Sequence, residues 1–302
     1  MNATNDQVYL QQYCSDRQVT EELGRYLNNK FTNPTSEAII PLQDESFIDA
    51  WKEYLQASRG KGVFSLLQEK LVQLQFPIQE GISQTLNYRA ACLRGQTTAN
   101  MAEATGLALQ KADEIQLILH QSAAGKIPVL LVPHPEDFKS IVRALAHRNE
   151  PVAIPDSMGA SMIKGLNNWD RIRQLQEEWS RQHPQGNWSD HFKACILPHP
   201  KYYQDKLMIL SEKPYSDVPA AHLGLSPEEW LILSETIRLD HECTHYFTLR
   251  YFGIMANNMH DELMADYMGI CAAMGQFDLQ MFLHCLGLER FPNYRSGARL
   301  EN

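Results

Sequence analysis

The chain of 302 residues lacks three features that mark common classes of protein. It has no uninterrupted apolar run near the ~20 residues that span a bilayer. Its first residues, MNATNDQVYLQQY, lack the basic-then-apolar pattern of a cleaved signal peptide. Its six cysteines include no CxxC pair. These absences predict a soluble protein that is not exported through a cleaved signal and that keeps reduced thiols in the cytoplasm.

Basic residues are also scarce. The 27 Lys and Arg residues against 36 Asp and Glu give a formal net charge of -9, and they form no cluster. We therefore expect neither nucleic acid nor a membrane surface as a partner. The 44% of hydrophobic residues can form a sizeable core, and the length predicts two domains or one elaborated domain. The oligomeric state stays open.

Helical periodicity dominates the first 125 residues, and mixed structure follows. Apolar residues recur at helical spacing over residues 47–74, and a further helix is predicted from about residue 100 to residue 120. Short apolar runs then predict strands at residues 127–132, 152–154 and 207–210. We therefore predict an α+β fold. It has a mainly helical N-terminal region at 1–125, and a domain at 126–302 with a small mixed sheet and a helical C-terminal half.

A largely apolar helix is predicted from Ser226 to about residue 252. Ser226 is a suitable N-cap, Pro227 fits the first helical position, and Glu229 completes a capping box. Apolar residues then cover most sides of the helix, which is typical of a buried helix. Polar side chains within such a helix need partners.

This helix contains the pentapeptide HExxH, from His241 to His245. One helical turn separates the two histidines, so both imidazoles project from one face and can bind one Zn²⁺. Glu242 is turned about 100° from His241 and can accept a proton from a metal-bound water. The spacing therefore predicts two zinc ligands and a general base.

A second acidic pair, Glu262 and Asp266, follows at helical spacing. A break at residues 253–258 lets the chain turn back, so that a second helix can pack on the first. The stripe predicted to make this contact is Leu263, Met264, Tyr267, Met268, Cys271 and Met274. Glu262 can supply the third ligand, and Asp266 can accept the free ring N–H of either histidine. Asp261 and His260 remain alternatives as third ligand.

HExxH on one helix followed by ExxxD on the next resembles the gluzincin branch of the zincin metallopeptidases, over roughly residues 226–275. The resemblance implies His241, His245 and Glu262 as zinc ligands, Glu242 as general base and Asp266 as the partner of a ligand histidine. It implies hydrolysis of a peptide or related amide bond, with a peptide or protein as substrate. The metzincin branch does not fit, because Thr248 and Tyr251 stand where that branch has Gly and His.

The chain also departs from the thermolysin-like pattern. The segment between His245 and Glu262 is shorter, and Asp261 stands where those enzymes often carry Asn. Zincins hold an extended peptide on a strand edge, for which residues 207–210 are the candidate. A donor for the oxyanion is also needed, and we favour Tyr294 and Arg295 in the C-terminal segment. Other candidates for this donor are His222, His284 and Arg299.

Two other interpretations remain at this point. The protein can be a non-catalytic binding or scaffold protein with a structural or degenerate zinc site, or the motif can be accidental and bind no metal. The sequence predicts no role for residues 1–125.

Overall fold

A computed structural model of the chain describes residues 9–29, 31, 38–255 and 259–301. Within them the chain is an α+β protein, as predicted, with helices on both sides of a small mixed sheet. The description excludes residues 1–8, which belong to the N-terminal segment that lacks a signal-peptide pattern. It also excludes residues 256–258, which belong to the predicted break between the two C-terminal helices. No helix in the described ranges is both long enough and apolar enough to cross a membrane.

Helices precede the sheet, as the periodicity predicts. They are α1 (Arg17–Leu27), α2 (Ile48–Lys61), α3 (Val63–Lys70) and α4 (Leu86–Arg94). Trp51 and Tyr54 of α2 and Leu67 of α3 are almost fully buried in the largest core. Gly62, with φ of +82°, makes the turn between α2 and α3, a conformation that favours glycine.

Four strands form the sheet that the described residues contain, in the order β1-β2-β4-β3. They are β1 (Gln116–Ser122), β2 (Gly125–Val132), β3 (Ala160–Asn167) and β4 (Gln204–Ser211). β2 and β4 are parallel, and the other two pairs are antiparallel. The predicted strands at 127–132 and 207–210 are confirmed.

Two predicted elements are wrong. No α-helix forms over residues 100–120, where the sequence predicts one: after a 3₁₀ turn at Ala112–Glu114 the chain enters β1. β1 pairs with β2 in a hairpin that a local periodicity does not reveal. No strand forms at residues 152–154, and β3 begins only at Ala160. Residue 125, the predicted domain boundary, lies at the turn of the hairpin, and the largest core joins residues from both sides of it.

The remaining helices follow or interrupt the sheet. They are α5 (Pro135–Ala146), α6 (Trp169–Gln182), α7 (Trp188–His191), α8 (Pro227–Phe252), α9 (Met259–Met274) and α10 (Leu279–Leu286). Short 3₁₀ turns include Tyr215–Asp217 and Arg299–Glu301.

The central strand β4 is buried on both faces. Leu207 and Ile209 pack in the core that contains α2 and α3, while Met208 and Leu210 pack against α8. All four side chains are at most 1% exposed. Burial on both faces explains the continuous apolar sequence of β4. One of these faces is covered by α8, which therefore lies directly against the sheet.

The start of α8 has the predicted capping box. The Ser226 hydroxyl accepts a hydrogen bond from the backbone N–H of Glu229, whose carboxylate accepts one from the backbone N–H of Ser226. Gly253, with φ of +72°, ends the helix. The cap and the buried Trp230 fix the register of the helix that carries HExxH.

Helices α8 and α9 pack through small residues and not through the predicted stripe. A Cβ at Gly269 would lie 2.4 Å from the carbonyl oxygen of Ile237, and Ala265 is fully buried. The side chains of the stripe are largely on the outside, with Leu263, Met264, Tyr267 and Met268 38–50% exposed. The predicted face is therefore wrong, because only small residues allow the two backbones to approach this closely.

Candidate metal centre

Three potential ligand atoms converge between α8 and α9. The Nε2 atoms of His241 and His245 lie 3.1 Å apart. Glu262 places one carboxylate oxygen 3.4 Å from Nε2 of His241 and the other 3.5 Å from Nε2 of His245. Neighbouring ligands of a tetrahedral zinc ion are separated by about 3.3 to 3.4 Å, given the usual bond lengths. The three residues can therefore hold a metal ion.

A carboxylate lies behind each histidine. Nδ1 of His241 is hydrogen-bonded to Oδ1 of Asp266 over 2.9 Å. Nδ1 of His245 is 3.2 Å from Oδ2 of Asp261, close enough for an ion pair but not aligned for a hydrogen bond. A neutral histidine that presents an Nδ1–H to a carboxylate has its lone pair on Nε2. The two Nε2 lone pairs then face each other, and a cation shared between them stabilises this arrangement. The donor set thus fits a metal ion.

The charge of the cluster also fits a divalent cation. Asp261, Glu262 and Asp266 carry three negative charges, and Arg299 contributes one positive charge. With both imidazoles neutral, as metal binding requires, two negative charges remain, which one divalent ion neutralises. Burial alone lowers the pKa of His241, but Asp266 and Glu262 outweigh it and raise this pKa to about 9. The carboxylates therefore favour positive charge at His241.

Two residues outside the helical motifs complete the cluster. The hydroxyl of Tyr215 donates a hydrogen bond to Asp266 over 2.7 Å. The guanidinium of Arg299 donates to Asp266 over 2.7 Å and to Glu262 over 2.8 Å. The sequence does not indicate Tyr215, because it lies in a turn after β4 that carries no pattern of its own. It indicates Arg299 only as one of several candidate donors for the oxyanion.

A cavity of about 330 Å³ opens beside His241. Glu242 lines it, together with Arg238, Arg299 and the start of β3 at Ala160. The carboxylate of Glu242 is half-buried and accepts no hydrogen bond from any other residue that the structure describes. Arg238 is buried, and it donates to the carbonyl oxygens of residues 211 and 213. Asp217 also lines the cavity, but it forms an ion pair with Lys213 over 3.0 Å. Glu242 is thus the carboxylate more available to a molecule in this cavity.

The structure does not bring Tyr294 and Arg295 to the cluster. Tyr294 donates to the carbonyl of Ala298, and Arg295 donates to Glu289 and to the carbonyl of His284. Neither side chain lines the cavity, because these contacts hold both of them elsewhere. The rings of His222 and His284 lie 6.2 Å from each other and do not line it either. Of the five candidate donors, only Arg299 does.

The alternatives for the third ligand lie outside the triangle of His241, His245 and Glu262. Asp261 lies behind His245, and His260 is exposed on the side of α9 that borders a different, apolar cavity. Residues 207–210 cannot add a peptide strand, because β4 is paired on both sides. β3 is the edge strand that reaches the cavity.

Comparison with known proteins gives one finding. A family model matches residues 8–302, and it is described as "Family of unknown function (DUF7005)". No curated protein and no solved structure gives a significant match.

Proposed function

The chain belongs to the DUF7005 family of unknown function, so we propose a function from its own site: a zinc-dependent hydrolase, most simply a metallopeptidase. The observation that carries the proposal is the triangle of His241, His245 and Glu262 beside a cavity lined by Glu242. Two imidazoles and one carboxylate leave a coordination position open, which is typical of catalytic zinc and not of structural zinc.

Zinc bound there would lower the pKa of a water molecule and polarise the carbonyl group of the substrate. Glu242 is the general base: it takes a proton from the attacking water and passes it to the leaving amine. Its position on the helix, one residue after His241, places it at the cavity and not among the ligands. Asp266 is hydrogen-bonded to Nδ1 of His241 and holds that ring in the tautomer that binds metal. The negative charge of Asp261, 3.2 Å from Nδ1 of His245, favours the same tautomer there.

The edge strand β3 supports a peptide as the substrate. Its first residue, Ala160, lines the cavity, and β3 pairs only with β4 among the described strands. An extended peptide can form main-chain hydrogen bonds to such an edge and place its scissile bond near Glu242.

The test measures metal content and peptide cleavage on wild type and Glu242→Gln. We expect about one zinc per chain in both proteins. The rate at which a mixed peptide library is cleaved should be lower in Glu242→Gln than in wild type by about 10²-fold or more. Glu235→Gln is the matched control, because Glu235 lies two turns earlier on α8 and outside the cavity. Unchanged cleavage by Glu242→Gln would remove this residue from its role.

Chelation separates this proposal from a structural metal site. The large core between the sheet and the N-terminal helices contains none of the ligands, so we expect the protein stripped of zinc to stay folded by circular dichroism. Activity should disappear and return with added zinc. Unfolding on chelation would instead favour the non-catalytic interpretation.

A further inference from the structure

Arg299 contacts the metal centre from a part of the chain that neither helical motif includes. It lies in the last described turn, Arg299–Glu301, 37 residues after Glu262. One nitrogen of its guanidinium donates to Glu262 over 2.8 Å, and the other donates to Asp266 over 2.7 Å and to the hydroxyl of Tyr215 over 3.1 Å. A single side chain thus links the third ligand to the partner of His241.

These contacts are formed away from water. The side chain of Asp266 is 3% exposed, and that of Arg299 is 27% exposed. Burial alone raises the pKa of Asp266, but His241 and Arg299 lower it well below its usual value. Charge-assisted hydrogen bonds of this kind are stronger than neutral ones, and the planar guanidinium fixes the relative orientation of the two carboxylates.

We propose that Arg299 is a positioning residue that orients Glu262 and Asp266 for metal binding, so that zinc affinity depends on the docking of the C-terminal segment. The inference rests on the metal-binding part of the proposed function and not on peptide cleavage. Glu262 is 31% exposed at its side chain, so without Arg299 it can rotate away from the histidines. Asp266 would keep Tyr215 as a donor but lose its only guanidinium among the described residues.

The segment offers a matched control. Arg295 lies four residues earlier and makes a comparable ion pair, over 2.8 Å, with Glu289. It also donates to a backbone carbonyl of α10, so its removal weakens the same segment without changing any contact of the cluster. A purely structural role for Arg299 therefore predicts equal effects of the two substitutions.

The experiment measures the zinc dissociation constant by competition with a chromogenic chelator, and the melting temperature with and without zinc. We expect Arg299→Gln to raise the dissociation constant about 10- to 100-fold and to reduce the upward shift in melting temperature that zinc causes. Arg299→Lys should lie between wild type and Arg299→Gln, because an ammonium keeps the charge but not the planar fork. Arg295→Gln should lower the melting temperature without zinc and change the dissociation constant less than 3-fold.

Several outcomes would overturn the proposal. One is a wild-type dissociation constant for Arg299→Gln, and another is an equal loss of affinity in Arg295→Gln. If wild type binds no zinc, both this inference and the proposed function fail. If wild type binds zinc and cleaves no peptide, the hydrolase proposal fails, while the dependence of zinc affinity on Arg299 is still measured.

Discussion

Asp261 lies directly behind His245, with its Oδ2 atom 3.2 Å from Nδ1 of the ring. It is fully buried, and Thr248 donates a hydrogen bond to its other oxygen over 3.2 Å. Asp266, five residues later on α9, accepts a hydrogen bond from Nδ1 of His241 over 2.9 Å. Each histidine of the cluster thus has a carboxylate next to its Nδ1 atom, although the sequence motif predicts only one.

We expect Asp261→Asn to weaken zinc binding about 10- to 100-fold, as is usual when the partner of a ligand histidine is changed. The amide no longer supplies the negative charge that favours an Nδ1–H on His245, so fewer molecules present the Nε2 lone pair to the metal. Chelator competition measures the effect. Asp240→Asn is the control, because Asp240 precedes His241 on α8 but borders the apolar cavity. Equal dissociation constants for the two variants would contradict the assignment.

The close approach of α8 and α9 keeps Glu262 of α9 near the two histidines of α8. We expect Gly269→Ala to destabilise the fold by about 1 to 3 kcal/mol, because the added methyl would overlap the carbonyl oxygen of Ile237. Separation of the helices would also move Glu262 away from the histidines and weaken zinc binding. Urea unfolding measures the first effect and chelator competition the second.

Gly60→Ala is the control for this substitution. Gly60 lies inside α2, and a Cβ there would have no atom within 4 Å. We expect this variant to be neutral or more stable by about 0.5 to 1 kcal/mol, since alanine favours a helix over glycine. A loss of stability as large as that of Gly269→Ala would show that the effect is not due to the helix contact.

A buried ion pair lies away from the candidate metal centre. Asp205 on β4 is fully buried, and it accepts hydrogen bonds from Arg171, from Asn168 over 2.7 Å and from Trp51 over 2.8 Å. Arg171→Met leaves its carboxylate without a counter-charge, so we expect a loss of about 3 to 5 kcal/mol in the free energy of unfolding.

The control for this pair lies on the same helix. Arg173 is half exposed and forms a longer ion pair, over 3.7 Å, with Asp170. We expect Arg173→Met to change the free energy of unfolding by less than about 1 kcal/mol in the same urea titration. A similar cost for both arginines would argue against a special contribution from the buried pair.

The sequence predicts the parts of the site that depend on local spacing. His241 and His245 are one turn apart, Glu262 and Asp266 are one turn apart, and the cap at Ser226 sets the start of α8. A helical repeat relates these positions, so a pattern of a few residues is enough to find them.

The contacts that the sequence does not predict come from distant parts of the chain. Tyr215 and Arg299 reach the cluster only through the tertiary fold, and no repeat relates them to HExxH. The prediction of Tyr294 and Arg295 as oxyanion donors is wrong for the same reason. Apolar periodicity predicts the wrong face of α9, because it does not reveal that Ala265 and Gly269 must allow a close backbone contact.

The strands also divide into those that a local pattern reveals and those that only their pairing reveals. The sequence predicts β4, because burial on both faces produces a continuous apolar run. β1 was predicted as helix, because the spacing of its apolar residues fits a helix when its pairing with β2 is unknown.

X-ray absorption spectroscopy of the zinc-loaded protein tests the central claim most directly. The account predicts one zinc per chain, with nitrogen and oxygen ligands at about 2.0 to 2.1 Å, a multiple-scattering signal from two imidazoles and no sulfur ligand. In His245→Gln the signal of one imidazole should disappear and the zinc affinity should fall. A sulfur ligand at about 2.3 Å from the zinc would contradict this account, and so would a wild-type protein that retains no zinc.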